Sequence, residues 1–292
     1  MKKNFKLFCF GFGQVAKYFV KKLINNEEGF DLVTTNTKET QQNKIGNLKY
    51  KSYYFADNKF DSNLLAELNS SNKVLISIPP KAQTEVVLKT FEKNFIKNKF
   101  NWVTYLSATS VYGDKKGEWV DEKAEPEAKS KKGIARLNAE NEWLKYYKSF
   151  NLPVQIFRLT AIYSIESNVI QRLRRGTLRL VEKKNHFFSR IHVEDIAEIL
   201  YLSLKKFNPG QIFNLSDDYP CPNNEIAEYA ANLIKMDLPK KIKPEDVESE
   251  MLKNFYKDSK KVSNEKMKAF FSYKLKYPTF KEGLDMIRNH IV

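Results

Sequence analysis

The chain has 292 residues, with 50 Lys+Arg against 35 Asp+Glu and a formal net charge of +15. Hydrophobic residues at 42% and aromatics at 13% exclude a disordered or low-complexity chain and leave apolar surface enough for one large domain or two smaller ones. Two cysteines, Cys9 and Cys221, exclude a disulfide framework or a zinc cluster, and no apolar run approaches the roughly 20 residues that span a bilayer.

The start, MKKNFKLFCFGFG, is basic and then apolar in the manner of a signal peptide. Its apolar part is short, interrupted by glycine and followed by no small-residue cleavage site, so the expectation is a cytoplasmic protein. Lys6–Phe10 reads as a first strand. Gln14–Ile24 reads as a helix, with Val15, Phe19 and Leu23 at spacing four beside Ala16 and Val20. Further strands are predicted at Asp31–Thr35, Lys51–Phe55, Lys73–Ile78, Trp102–Ser107 and Val154–Leu159, and the longest helix from about Lys132 to Tyr147. Beyond Leu159 the pattern loosens. Ile191–Leu204 reads as a helix with Glu194 and Asp195 in its first turn, Gln211–Leu215 as a strand, and Asn224–Ile234 as a helix. The tail YKLKYPTFKEGLDMI reads as a strand-like piece, a Pro-Thr break and a final helix.

Strands that alternate with helices and are apolar on both faces predict an α/β fold with a parallel sheet.

Gly11-Phe12-Gly13-Gln14-Val15-Ala16 is a GxGxxA motif between the first strand and the first helix. Gly11 permits the tight turn, Gly13 lets backbone approach a pyrophosphate, and Ala16 allows close helix–strand packing. The helix N-terminus adds free N–H groups and partial positive charge, with Gln14 and Val15 first in line. An acid at the end of the second strand would bind the ribose hydroxyls of NAD; here the run is Thr34-Thr35-Asn36-Thr37-Lys38. Asn36, Thr37 and Lys38 suit the 2′-phosphate of NADP better, with NAD as the alternative.

Ordered landmarks then cover nearly the whole chain: Gly11–Ala16, Ser77-Ile78-Pro79-Pro80, LSATSVYGD ending at Asp114, Arg158–Tyr163, RIHVEDIA from Arg190, FNLSDD ending at Asp218, and YPTFKEGL from Tyr277. The set resembles the extended and atypical short-chain dehydrogenase/reductase superfamily, the NAD-dependent epimerase/dehydratase family, and is most similar to its short, atypical branch. The resemblance implies a Rossmann-type, doubly wound parallel sheet with a smaller C-terminal substrate lobe: a dinucleotide-binding domain over 1–163 and a lobe over 164–292, with 191–216 returning to the first domain. It implies cofactor contacts at Ser77–Pro80, Ser107, Leu159 and Thr160, a substrate site near Ser110 and Tyr163, and pairing of two copies through the helices around Lys132–Tyr147.

It also implies a catalytic Tyr, a Lys four residues later that lowers the Tyr pKa, and a Ser or Thr. In this chain Lys132 falls on the Tyr, Arg136 on the Lys and Ala108 on the hydroxyl. All three groups are changed. Arg136 stays protonated and can hold an anion or a ribose but cannot act as a base. Lys132 could be a base only if burial lowered its pKa. Thr109 flanks the empty hydroxyl position. Tyr112 is a phenol that serves either as the acid/base or in packing.

Lysine is dispersed, whereas six of the eight arginines lie between Arg158 and Arg190. Guanidinium forks bind phosphate or carboxylate bidentately. An anionic substrate held by Arg175 or Arg190 is therefore expected, with Arg172 and Arg179 on a solvated face. The histidines lack metal-ligand spacing, His192 reads as a residue at the start of a helix, and Cys9 as core. The expected function is an NAD(P)-dependent oxidoreductase or epimerase acting on a small anionic metabolite: a sugar phosphate, nucleotide sugar or carboxylate. The alternative is a non-catalytic NADP-binding sensor or regulatory protein. Nucleic acid and membrane are not expected partners, because no basic stripe is interleaved with stacking aromatics.

Overall fold

The computed structural model describes residues 5–56, 58–81 and 84–291. In chain order β1 (Phe5–Phe10) runs into α1 (Gln14–Asn25), β2 (Phe30–Asn36), the hairpin of β3 (Gln41–Ile45) and β4 (Leu48–Ala56), β5 (Lys59–Phe60), α2 (Leu64–Asn69), β6 (Lys73–Ile76), α3 (Val86–Lys97) and β7 (Trp102–Ala108). A 3-10 turn at Thr109–Tyr112 and β8 (Trp119–Val120) lead to α4 (Lys131–Phe150), β9 (Val154–Leu159), β10 (Ala161–Tyr163), α5 (Val169–Arg174), β11 (Leu180–Val181), β12 (Arg190–His192), α6 (Val193–Lys205) and β13 (Ile212–Leu215). Then follow α7 (Asn223–Ile234), β14 (Lys241–Ile242), α8 (Glu250–Phe255), β15 (Lys261–Val262), α9 (Glu265–Phe271) and α10 (Phe280–Ile291).

The main sheet has the order β13-β9-β7-β6-β1-β2-β4-β3, with β5 on β4. The β1–β2, β1–β6, β2–β4 and β6–β7 pairs are parallel. Burial explains the composition of the strands: β9 is buried at every residue and β7 at all but its last, so apolar side chains are needed on both faces. From β1 the chain winds outward to β2 and β4, then returns to β6 and winds the other way. The order reverses between β1 and β6, and ligands of open α/β sheets bind outside the carboxyl ends of the strands at such a switch point.

Contacts divide the chain into two units, each built from three segments. The first is Met1–Ala108, Ile134–Arg158 and Ile196–Ile212; the second is Thr109–Gly133, Leu159–Asp195 and Phe213–Val292. Segment 109–133, which the sequence groups with 1–163, clusters with the second unit. The first unit's core is aromatic-rich: Phe10 meets Phe91 at 5.3 Å between ring centroids, and Phe95 meets Trp143 edge-on at 5.1 Å. The second unit packs Ile170 and Leu173 of α5, Ala227 and Ala230 of α7, and Phe280, Leu284 and Ile287 of α10 around Tyr163. Three two-stranded parallel ladders, β10–β12, β11–β14 and β8–β15, complete it.

Two local readings are corrected. The helix expected from Ile191 begins at Val193, because Arg190–His192 pairs as strand with Ala161–Tyr163. The strand expected at Lys51–Phe55 is the middle of the longer β4, which turns back from β3 through Gly46-Asn47, with Gly46 at φ +57°. Among the described residues no helix is long and apolar enough to cross a membrane.

Candidate functional site

Gly11 lies at φ +80°, a conformation that side chains with a Cβ rarely adopt. A Cβ there would also stand 2.5 Å from Ile78 Cγ2. The Gly11 N–H donates to Thr35 Oγ1 at 2.9 Å, and the Ser77 N–H donates to the Phe10 carbonyl at 2.9 Å. The carboxyl ends of β1, β2 and β6 are thus tied together at the switch point. Gly13 is different: it is extended (φ −77°, ψ −167°), caps α1 without a side chain, and a Cβ on it would meet nothing within 4 Å. The first turn of α1 carries no acid. Open space at Gly13 before a positive helix end is what a pyrophosphate requires, so Gly11, Gly13, Gln14 and Val15 fit a dinucleotide.

A sharp test follows from this contrast. Gly13→Asp should leave the fold as stable or raise it by up to about 1 kcal/mol, because Asp is a favoured N-cap and complements the helix dipole. The same carboxylate should repel a pyrophosphate and weaken dinucleotide affinity at least about a hundredfold. Thermal unfolding and a cofactor titration on one variant read both; unchanged affinity would remove the phosphate site.

At the end of β2, the Asn36 amide donates to Ser52 Oγ and the Glu39 carbonyl, each at 2.9 Å, and its oxygen accepts the Lys38 N–H at 2.8 Å. Asn36 therefore shapes the turn, leaving Thr37 and Lys38 exposed beside Glu39. Ile78 and Pro80 are half-buried and Pro79 exposed on the stretch after β6.

Ser107, next to last in β7, donates its hydroxyl proton to Glu140 Oε1 at 2.5 Å. Glu140 is held in turn by Arg158, through Nε at 3.1 Å to both carboxylate oxygens and Nη2 at 2.7 Å to Oε2. Both charged side chains are buried, at 3% and 1% exposure. Arg158 thus leaves the arginine group in which the sequence places it, and its partner is internal. Arg136, one turn before Glu140, donates to the Leu106 carbonyl at 2.6 Å and to the Tyr105 hydroxyl at 3.1 Å. Glu140 escapes sequence reasoning, although it shares a helix face with the buried Ala139 and Trp143, where a lone acid needs a partner.

In the second unit Tyr112 is wholly buried and its hydroxyl donates to Asn214 Oδ1 at 2.8 Å. Thr109 and Ser110 are half-buried in the turn before it; Lys132 is exposed in the first turn of α4. Gly133 passes so close to Ser110 that a Cβ would stand 2.6 Å from its carbonyl. Leu159 and Thr160 are buried, and the Thr160 hydroxyl donates to the Leu215 carbonyl at 3.0 Å. The Tyr163 ring sits edge-on to His192 at 5.0 Å and presses on Gly283, where a Cβ would lie 2.3 Å from the phenol oxygen. His192 accepts the Glu194 N–H through Nδ1, and burial pushes its pKa down to about 4. Asp195 accepts from the Tyr273 hydroxyl and the Lys276 and Tyr277 N–H groups, which explains two landmarks as structural clamps.

Arg175 is exposed at the end of α5. Arg190 is buried. Its guanidinium donates to the Phe188 carbonyl at 2.9 Å, the Cys221 carbonyl at 3.2 Å, Cys221 Sγ at 3.3 Å and Asn223 Oδ1 at 2.5 Å. None of these acceptors is a carboxylate. Asp217 feels the Arg190 charge, yet burial still pushes its pKa well above the usual carboxylate range.

The profile of the NAD-dependent epimerase/dehydratase family matches residues 82–216. A conserved protein of unknown function from Silicibacter pomeroyi is 30% identical and superimposes with a TM-score of 0.86, covering 98% of this chain and 99% of that one. The chain belongs to the NAD-dependent epimerase/dehydratase family. A dTDP-D-glucose 4,6-dehydratase from Dictyostelium discoideum is 24% identical over 217 residues, 62% of this chain; the match spans half of that relative's length. The dTDP-glucose 4,6-dehydratase of Bacillus anthracis, solved in complex with NAD, shares the fold at 19% identity and a TM-score of 0.75, over 98% of this chain and 95% of that one. Family membership agrees with the Rossmann-type sheet and with the glycine cradle.

Proposed function

We propose that this family member binds NADP in preference to NAD and acts as an oxidoreductase or epimerase on a small anionic metabolite: a sugar phosphate, nucleotide sugar or carboxylate. Arg190 is the observation that carries the substrate class. Burying a guanidinium costs several kcal/mol, and carbonyls, an amide and a thiol return only part of that. A phosphate or carboxylate would supply the missing charge, with Asn223 as a neighbour in the second unit; the exposed Arg175 is the second arginine proposed to hold it. Gly11–Val15 would hold the pyrophosphate, Asn36–Lys38 the adenosine end, and Ser77–Pro80, Ser107, Leu159 and Thr160 the remainder. When bound, the dinucleotide supplies a site that accepts and returns hydride.

The residues proposed for chemistry are Tyr112, Arg136 and Thr109; Lys132, exposed in the first turn of α4, lacks the burial that a base there would need. The second reading, a non-catalytic NADP-binding sensor, is favoured by the burial of Tyr112 against Asn214 and by the engagement of Arg136 with Leu106 and Tyr105. Titration with NADPH and NADH should give tighter binding of NADPH; the reverse order overturns the cofactor preference. Sugar phosphates, nucleotide sugars and hydroxy-carboxylates should then be screened for a rise in unfolding temperature with cofactor present. A ligand-induced rise that vanishes in Arg190→Met supports the anion site, and one that persists removes Arg190 from it. Hydride transfer with the stabilising ligand separates the enzyme from the sensor.

A further inference from the structure

We infer that Glu140 is a positioning residue that makes the Ser107 hydroxyl an obligate hydrogen-bond acceptor toward the bound dinucleotide. The inference rests on the reading of Ser107 as a cofactor contact. A free serine hydroxyl both donates and accepts. In this structure the Ser107 proton is committed to Glu140 Oε1 at 2.5 Å. The lone pairs of Oγ remain, so the group that meets Ser107 must be a donor, such as a ribose hydroxyl or a carboxamide N–H.

The carboxylate is not free to turn away. Arg158 on β9 grips both its oxygens, and β9 is the sheet neighbour of β7, which carries Ser107. Arg136 holds the Leu106 carbonyl from one turn earlier on the same helix. Two successive turns of α4 therefore fix two successive residues at the end of β7. Stability alone is a poor reason for such an arrangement, because buried ion pairs are often matched by apolar residues of similar volume.

Two paired replacements test the inference, with NADPH affinity and unfolding temperature measured on each. Glu140→Leu with Arg158→Met removes both charges and leaves Ser107 without an acceptor. Glu140→Gln with Arg158→Met also removes both charges but keeps an acceptor oxygen for Ser107. The Gln pair should bind NADPH within about threefold of the native chain, and the Leu pair about tenfold or more weaker, at similar unfolding temperatures. Ser107→Ala should lose affinity to the same extent and add nothing in the Leu background. Equal affinity of the two pairs overturns the role of Glu140. So does native affinity in Ser107→Ala, a variant that keeps the ion pair and decides the matter even if neither pair folds. A native chain that binds neither NADPH nor NADH overturns the cofactor reading as well, so the two failures are distinguishable.

Discussion

Arg158→Met alone is expected to destabilise the protein by about 3–5 kcal/mol, against a total of about 5–15 for an ordinary domain. The cost comes less from lost attraction than from what remains. Glu140 would be left at 1% exposure with, among the described residues, only Ser107 as a hydrogen-bond donor. An uncompensated buried charge is among the few defects that reach this size. Adding Glu140→Leu removes the stranded charge and should recover most of the loss, so the double variant should be more stable than the single. Urea unfolding of the native chain, both single variants and the double gives the coupling directly. A single-variant cost below about 1 kcal/mol would mean that water or a shifted side chain reaches Glu140.

The second large effect is a pH dependence centred on Glu85. This residue caps α3: its carboxylate accepts the Leu88 N–H at 2.5 Å, its other oxygen has no partner among the described residues, and the side chain is buried. Burial pushes its pKa from 4.5 up to about 7; the Glu142 carboxylate adds to the rise, while the Leu88 and Val87 N–H groups and the Arg136 charge oppose it. Between these two values the folded chain holds a proton that the unfolded chain has released. Stability from this group is therefore highest below the unfolded pKa and falls as pH rises through the folded one. Glu85→Gln keeps a cap oxygen and cannot ionise. The stability of the variant relative to the native chain should grow by about 3 kcal/mol between pH 4.5 and 8. Comparing the two proteins cancels the slopes of His186, His192 and the other buried groups. A difference that stays flat with pH would show that Glu85 does not ionise in this window, or finds water when it does.

The readable part of the molecule was local and periodic. The glycine cradle could be placed because its constraint is written in adjacent residues: φ +80° at Gly11 and open space at Gly13 both fall inside one hexapeptide. Strands buried on both faces showed as continuous apolar runs. The site was less legible where function depends on pairs distant in sequence. Glu140 and Arg158 each look like solvated charges; their burial appears only when α4 lies against β9. Arg190 gives no sign in sequence that its acceptors are all neutral. The edge strand β3 is polar and lacks alternation, so only the Gly46-Asn47 turn could have shown it. The strand at Arg190–His192 was hidden because its pairing with β10, not its composition, makes it extended.

The way the chain passes back and forth between its two units constrains how it can be made. Neither unit is finished by the N-terminal half: the first needs residues up to Ile212, and the second needs Phe213–Val292. On the ribosome, at about 5–20 residues per second, the first sheet waits roughly 2–9 seconds with β7 exposed before β9 emerges to cover its edge. An unpaired, apolar parallel edge is an aggregation hazard for that whole interval. Synthesis of this chain should therefore depend on chaperone protection more than its final packing would imply.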